Sequence, residues 1–203
     1  MAALLLSAAV GTASARNLSV SNGNIRVTWS NLEFASTVTV RCQITLEGSF
    51  HRNTIVKEEG TLIGAVSRAT VKTESCTNAR ASTEGLPWHI TYEAFEGTLP
   101  AITDVFLLLE RFLFRLARVL GTTAECRYGD ELDNITGQAT LNGAREVTNL
   151  IPITGRNTAT LLEARGETAL IRCPIEGVMQ AASNDGIVRL LTGTTTRIRV
   201  TLI

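Results

Sequence analysis

The chain has 203 residues, and its 19 lysines and arginines are matched by 19 aspartates and glutamates, so the formal net charge is zero. That balance argues against a dedicated nucleic-acid binder or a binder of anionic membranes, since both work through concentrated positive charge. With two histidines and four cysteines, the chain is also poor in the residue types that carry most acid–base and metal chemistry.

Residues 1–15, MAALLLSAAVGTASA, place an apolar run at Leu4, Leu5 and Leu6 before small residues ending in Ala13-Ser14-Ala15, the pattern of a cleavable signal peptide. The positive n-region usual in such peptides is missing. Residues 16–203 then read as one domain. No apolar run approaches the roughly 20 residues that a transmembrane helix needs, because Glu110, Arg111, Arg115 and Arg118 interrupt the longest candidate, so no transmembrane anchor is expected.

From Asn17 onward the dominant signal is two-residue alternation, which belongs to half-buried strands. It appears at Ile25, Val27 and Trp29, and most clearly from Thr37 to Glu47, where Val38, Val40, Cys42, Ile44 and Leu46 share one face. It returns at Trp88, Ile90 and Tyr92, at Ile135, Ala139 and Leu141, at Ala169, Ile171, Cys173 and Ile175, and at Ile198, Val200 and Leu202. Two segments are ambiguous. Thr61–Thr73 fits a short helix or a strand, and Asp104–Leu120 reads either as an amphipathic helix, with Arg111, Arg115 and Arg118 on its polar face, or as two strands. Asn22-Gly23, Asn142-Gly143 and Asp185-Gly186 have the composition of tight hairpin turns. These elements predict a mainly β fold: an antiparallel β-sandwich, Ig-like or jelly-roll-like, with one or two short helices.

Four cysteines behind an export signal favour two disulfides. Three pairings are open; Cys42 with Cys76 and Cys126 with Cys173 close the shorter loops. No C-x-x-C spacing suggests zinc, so no metal is expected there. G-x-S-x-G, P-loop and H-E-x-x-H motifs are absent, so no cofactor is expected either. The acidic run GDELDN, with Asp130, Glu131, Asp133 and Asn134, has oxygen ligands but lacks EF-hand spacing, and reads as a solvated turn. Glu93, Glu96, Asp104 and Glu110 offer carboxylates with no spacing that singles out a pair. His51 and His89 are the available imidazole bases, and Trp88 beside His89 is the weak candidate for a ligand platform.

The segments VRCQITLEGSFH (Val40–His51), Cys76-Thr77, LPWHITY (Leu86–Tyr92), GTLP (Gly97–Pro100) and the terminal TTTRIRVTLI together resemble a group of secreted actinobacterial proteins of unknown function. The resemblance spans most of residues 16–203 and lies in strand framework and cysteines. It implies no catalytic residues. Glu110–Leu120 is where the chain departs most from that group.

The expectation is a secreted, non-enzymatic binding, adhesive or cell-envelope module whose partner is an extracellular protein, glycan or lipid. One alternative is a small extracytoplasmic hydrolase using His89 or His51. Another is a lipid or small-ligand carrier with a cavity lined by Phe106, Phe112 and Phe114.

Overall fold

Two-residue alternation becomes strands along nearly the whole chain in the computed structural model, which describes residues 17–98, 101–129, 134–153, 157–192 and 198–203. The expected signal peptide, residues 1–15, lies outside the described residues. The first part of the chain forms β1 (Asn17–Val20), β2 (Asn24–Ala35), β3 (Val40–Phe50), β4 (Thr54–Val56), β5 (Leu62–Lys72) and β6 (Arg80–Glu84). Then come β7 (Trp88–Thr98), β8 (Ala101–Glu110), β9 (Leu113–Ala117), β10 (Glu125–Tyr128), β11 (Asn134–Leu141) and β12 (Val147–Pro152). The last part contains β13 (Thr158–Arg165), the one-turn helix α1 (Ala169–Arg172), β14 (Glu176–Gln180), β15 (Ile187–Leu190) and β16 (Val200–Leu202).

Eight of these strands make a closed barrel. In chain order β2, β3, β5, β7, β8, β11, β12 and β15 each lie antiparallel beside the next. The last then pairs back onto the first, from Ile187 opposite Thr28 to Leu190 opposite Ile25. This is an up-and-down barrel. The fold is mainly β and antiparallel, as the alternation predicts, but the expected sandwich is corrected: a sandwich keeps two sheets with free edges, whereas the β2–β15 ladder removes the edges by closure.

In such a barrel successive connections alternate between its two ends, and that places the remaining elements. β6, the β9–β10 pair and the β13–α1–β14 segment are all inserted at one end. They pair with one another in the order β14–β13–β10–β9–β6, forming a sheet that caps that end. β4 follows β3 at the opposite end, where it joins β1 and β16 in a small second cap. Leu18, Val20, Ile55, Ile198 and Val200 are buried there.

One edge of β2 serves two strands. Its first half pairs with β15 and its last residues, Glu33–Ala35, pair with β14. Between the two partners the ladder is broken at Ser30 and Asn31, whose amides would be orphaned. The buried carboxylate of Asp185 takes both, accepting from Ser30 N at 2.8 Å and Asn31 N at 2.9 Å. Asp185-Gly186 is therefore a splice between strands that share a neighbour, and not the hairpin turn its composition suggests. Asn22-Gly23 likewise joins β1 and β2, which belong to different sheets. Asn142-Gly143 does close a hairpin, β11–β12, with the Asn142 side chain accepting from Ala144 N and Glu146 N.

The ambiguous segments are strands. Thr61–Thr73 holds β5, and Asp104–Leu120 is split between β8 in the barrel and β9 in the cap, with Arg111 at φ 61° where they part. Hydrogen-bonding neighbours on both sides of β8 favour the extended form over an isolated helix. Ala169–Cys173, read as a strand, is instead the helical turn α1. Ala169 and Cys173 are buried, but Ile171 between them is 83% exposed and Leu170 94% exposed, so the true period is four residues and not two.

Cys42 is bonded to Cys76, and Cys126 to Cys173. The first bridge ties β3 of the barrel to the root of the β6 insertion; the second ties β10 to the end of α1.

Candidate functional site

The cap presents an aromatic layer to the barrel. Phe112, on the connection into β9, together with Phe114 of β9 and Tyr128 of β10, meets Phe34 at the end of β2 and Trp88 at the start of β7. Ring centroids lie 5.2 Å apart for Phe114–Tyr128, 4.7 Å for Phe34–Tyr128 and 6.4 Å for the edge-on Trp88–Phe112 contact. Such pairs add about 0.5–1.5 kcal/mol each beyond area burial. Gly177 of β14 lies under the Phe34 ring, where a Cβ would come within 2.2 Å of it, so only glycine lets the ring seat.

Burial pushes the Tyr128 phenol well above its ordinary value of 10.0, and raises Tyr92 in the same direction. The Tyr128 hydroxyl donates to the Pro174 carbonyl at 3.1 Å. In the unfolded chain both phenols ionise near their ordinary value, whereas in the fold burial makes them hold their protons to higher pH. Their contribution to stability is therefore whole below about pH 10 and falls as pH rises beyond it. Urea denaturation at rising alkaline pH should show this loss, and Tyr128→Phe should flatten it. An equal slope in both proteins would assign the loss to other groups.

Behind the aromatic layer is a void of about 130 Å³. The barrel wall contributes Ile44, Leu46, Val66, Ile90 and Leu109; the cap side contributes Ala81, Phe112, Phe114, Leu116 and Met179. No charged side chain is among the described residues that line it. Its polar side chains are the half-buried hydroxyl of Thr83 on β6 and the indoles of Trp29 and Trp88, whose Nε1 atoms donate to the Leu150 and Glu84 carbonyls at 2.9 and 2.8 Å; Ser82 borders the void with its exposed side chain on the opposite face of β6. A smaller void of about 40 Å³ lies toward the opposite cap, against Leu18, Val20, Ile55 and Val200. It too is apolar.

Trp88 is thus a cavity-lining core residue. His89, its neighbour, is half-buried on the other face of β7, opposite Glu110 in register. His51 is exposed just after β3, at the far end of the barrel, so the two histidines are not brought together. Glu110 accepts from Thr91 Oγ1 at 3.3 Å, while the buried Asp104 accepts from Gln138 and Thr140 at 2.9 and 3.0 Å. These carboxylates brace the outer wall. Phe112 and Phe114 line the void and Phe106 does not. The Arg111, Arg115 and Arg118 stripe dissolves with the helix: Arg115 pairs with Glu125, and Arg111 and Arg118 occupy left-handed turn positions. Asp130, Glu131 and Asp133 lie outside the described residues, and among the described residues no three side chains group as metal ligands.

Sequence reasoning missed Asn157 altogether. Its fully buried amide accepts from Thr136 N at 2.7 Å and donates to Thr136 O and Ile153 O at 3.2 and 2.8 Å, imitating a missing strand beside β11. Nothing in its neighbourhood signals this role.

No family model matches the chain, and neither curated proteins nor solved structures give a match.

Proposed function

We propose that this chain is an exported, disulfide-braced β-barrel that binds a small apolar molecule in its interior, acting as a carrier or sequestering module and not as an enzyme. The observation that carries this reading is the void of about 130 Å³ with an apolar wall between barrel and cap. Protein interiors pack to about 0.74 of available volume with few voids larger than water, so a gap this size is unusual. At about 24 cal/mol per Å³, leaving it empty costs roughly 3 kcal/mol, which an occupant would offset. An engineered apolar cavity of about 150 Å³ stays dry and takes up benzene or xenon, which sets the size class. Eight-stranded barrels are wide enough to hold either their own side chains or one small ligand. Among the readings the sequence leaves open, this favours the alternative of a small-ligand carrier over the leading one of an adhesive or cell-envelope module.

Export is supported by the signal-like residues 1–15 and by two disulfides, which persist in oxidising compartments.

Benzene should raise the melting temperature of the oxidised protein, by an amount corresponding to about 2.7 kcal/mol when present at a hundred times its Kd. Xenon-pressurised crystals should show density behind Phe112 and Phe114. An unshifted melting curve together with an empty cavity under xenon would sink the reading.

A further inference from the structure

We infer that the two interior voids form one site for a neutral, unbranched aliphatic chain, with its small polar end at Thr83 and its methyl end reaching past Leu107 and Leu150. This rests on the apolar-ligand reading above and specifies the ligand class. Four residues, Ile25, Val27, Leu107 and Leu150, line both voids, so the voids adjoin at a partition of flexible side chains. The larger void touches the capping sheet at Ala81 and Met179, and the smaller touches the opposite cap at Leu18 and Val200, so together they follow the barrel axis. A compact ring would stop at the partition. A linear chain needs only the cross-section of a methylene.

Gly137 makes the passage adjustable. It pairs across the ladder with Leu107, and a Cβ there would stand 3.0 Å from Leu150 Cδ1, so its absence leaves the leucine room to swing. The polar end is set by what lines the mouth. Thr83 shares the inward face of β6 with buried Ala81, is half-buried, and donates to the Ala69 carbonyl only at 3.4 Å. Its hydroxyl can serve a ligand hydroxyl or carbonyl. A carboxylate finds no cation among the described lining residues and would be desolvated without a partner.

The test is titration of the full oxidised protein with benzene and with straight-chain primary alcohols from butanol to dodecanol, beside the matching carboxylates. Alcohol affinity should rise about fourfold per methylene until both voids are filled. Carboxylates of equal length should bind at least tenfold more weakly. Gly137→Val should shorten the optimal alcohol; if it fails to fold, Leu150→Phe serves the same purpose, and Leu150→Ala should lengthen the optimum. An affinity plateau at the chain that fills the larger void alone, unmoved by these variants, would overturn the joint site yet leave the compact-ligand reading standing. Equal binding of carboxylates would overturn the neutral polar end. Failure of benzene and alcohols alike would remove the apolar-ligand reading itself.

Discussion

Gly186→Ala is expected to leave no folded barrel. Gly186 adopts φ +70°, and a Cβ there would lie 1.9 Å from the Leu150 carbonyl oxygen and 2.6 Å from Trp29 Nε1. Those two atoms are hydrogen-bonded to each other at 2.9 Å and belong to β12 and β2, the strands flanking β15. Neither can retreat without opening the barrel where it closes. Asp185→Ala attacks the same splice more gently by removing the acceptor of two strand amides. Hydrogen bonds to a charged group are worth about 1.5–3 kcal/mol each, so losing both costs about 3–6 kcal/mol against a typical total of about 5–15 kcal/mol. Asp185→Asn, which keeps one acceptor oxygen, should fall between Asp185→Ala and the parent. Urea midpoints followed by circular dichroism rank the series, and a Gly186→Ala protein that melts within a few degrees of the parent would refute the steric argument.

Full reduction should have the second-largest effect. The bridges close loops with sequence separations of 34 and 47 residues. On the chain-entropy model each removes about 4 kcal/mol of freedom from the unfolded state, so together they rival the whole stability of an ordinary domain. The reduced chain is expected to unfold at physiological temperature. Cys42→Ala/Cys76→Ala and Cys126→Ala/Cys173→Ala should each lose roughly half of that. Denaturation with and without a reductant checks this, and coincident transitions would show that packing alone holds the caps.

Both of these weak points bear on what a sequence can reveal. Strands whose partners flank them on both sides, such as Thr37–Glu47, declare themselves through alternation because one face is dry and the other wet. Loop length favours pairing Cys42 with Cys76 without deciding it; the structure shows the bridge. Closure of the sheet is another matter. It depends on Ile187–Leu190 meeting Ile25–Thr28, and no local pattern distinguishes a strand that closes a barrel from one that ends a sandwich. The site was legible only in part for the same reason. Trp88, Phe112 and Phe114 stand out as large apolar residues, but the void they face is a product of three insertions converging on one end. Phe106, equally apolar, was expected with them and does not line the void. Asp185 looked like a turn residue because its composition matches one; its task as the acceptor for two orphaned amides exists only once β14 and β15 share an edge.

The order of strands around the barrel also sets a folding problem. Most neighbours are adjacent in sequence, so the meander from β2 to β12 can zip progressively through short-range contacts. The ladders that finish the molecule, β2 with β14 and β15 and β1 with β16, join the beginning of the chain to its final third. Until those late segments arrive, β2 exposes the backbone edge it will later give to two partners, a ready template for another chain. A nascent molecule is therefore most prone to aggregation just before completion, when it is nearly all sheet and still unclosed.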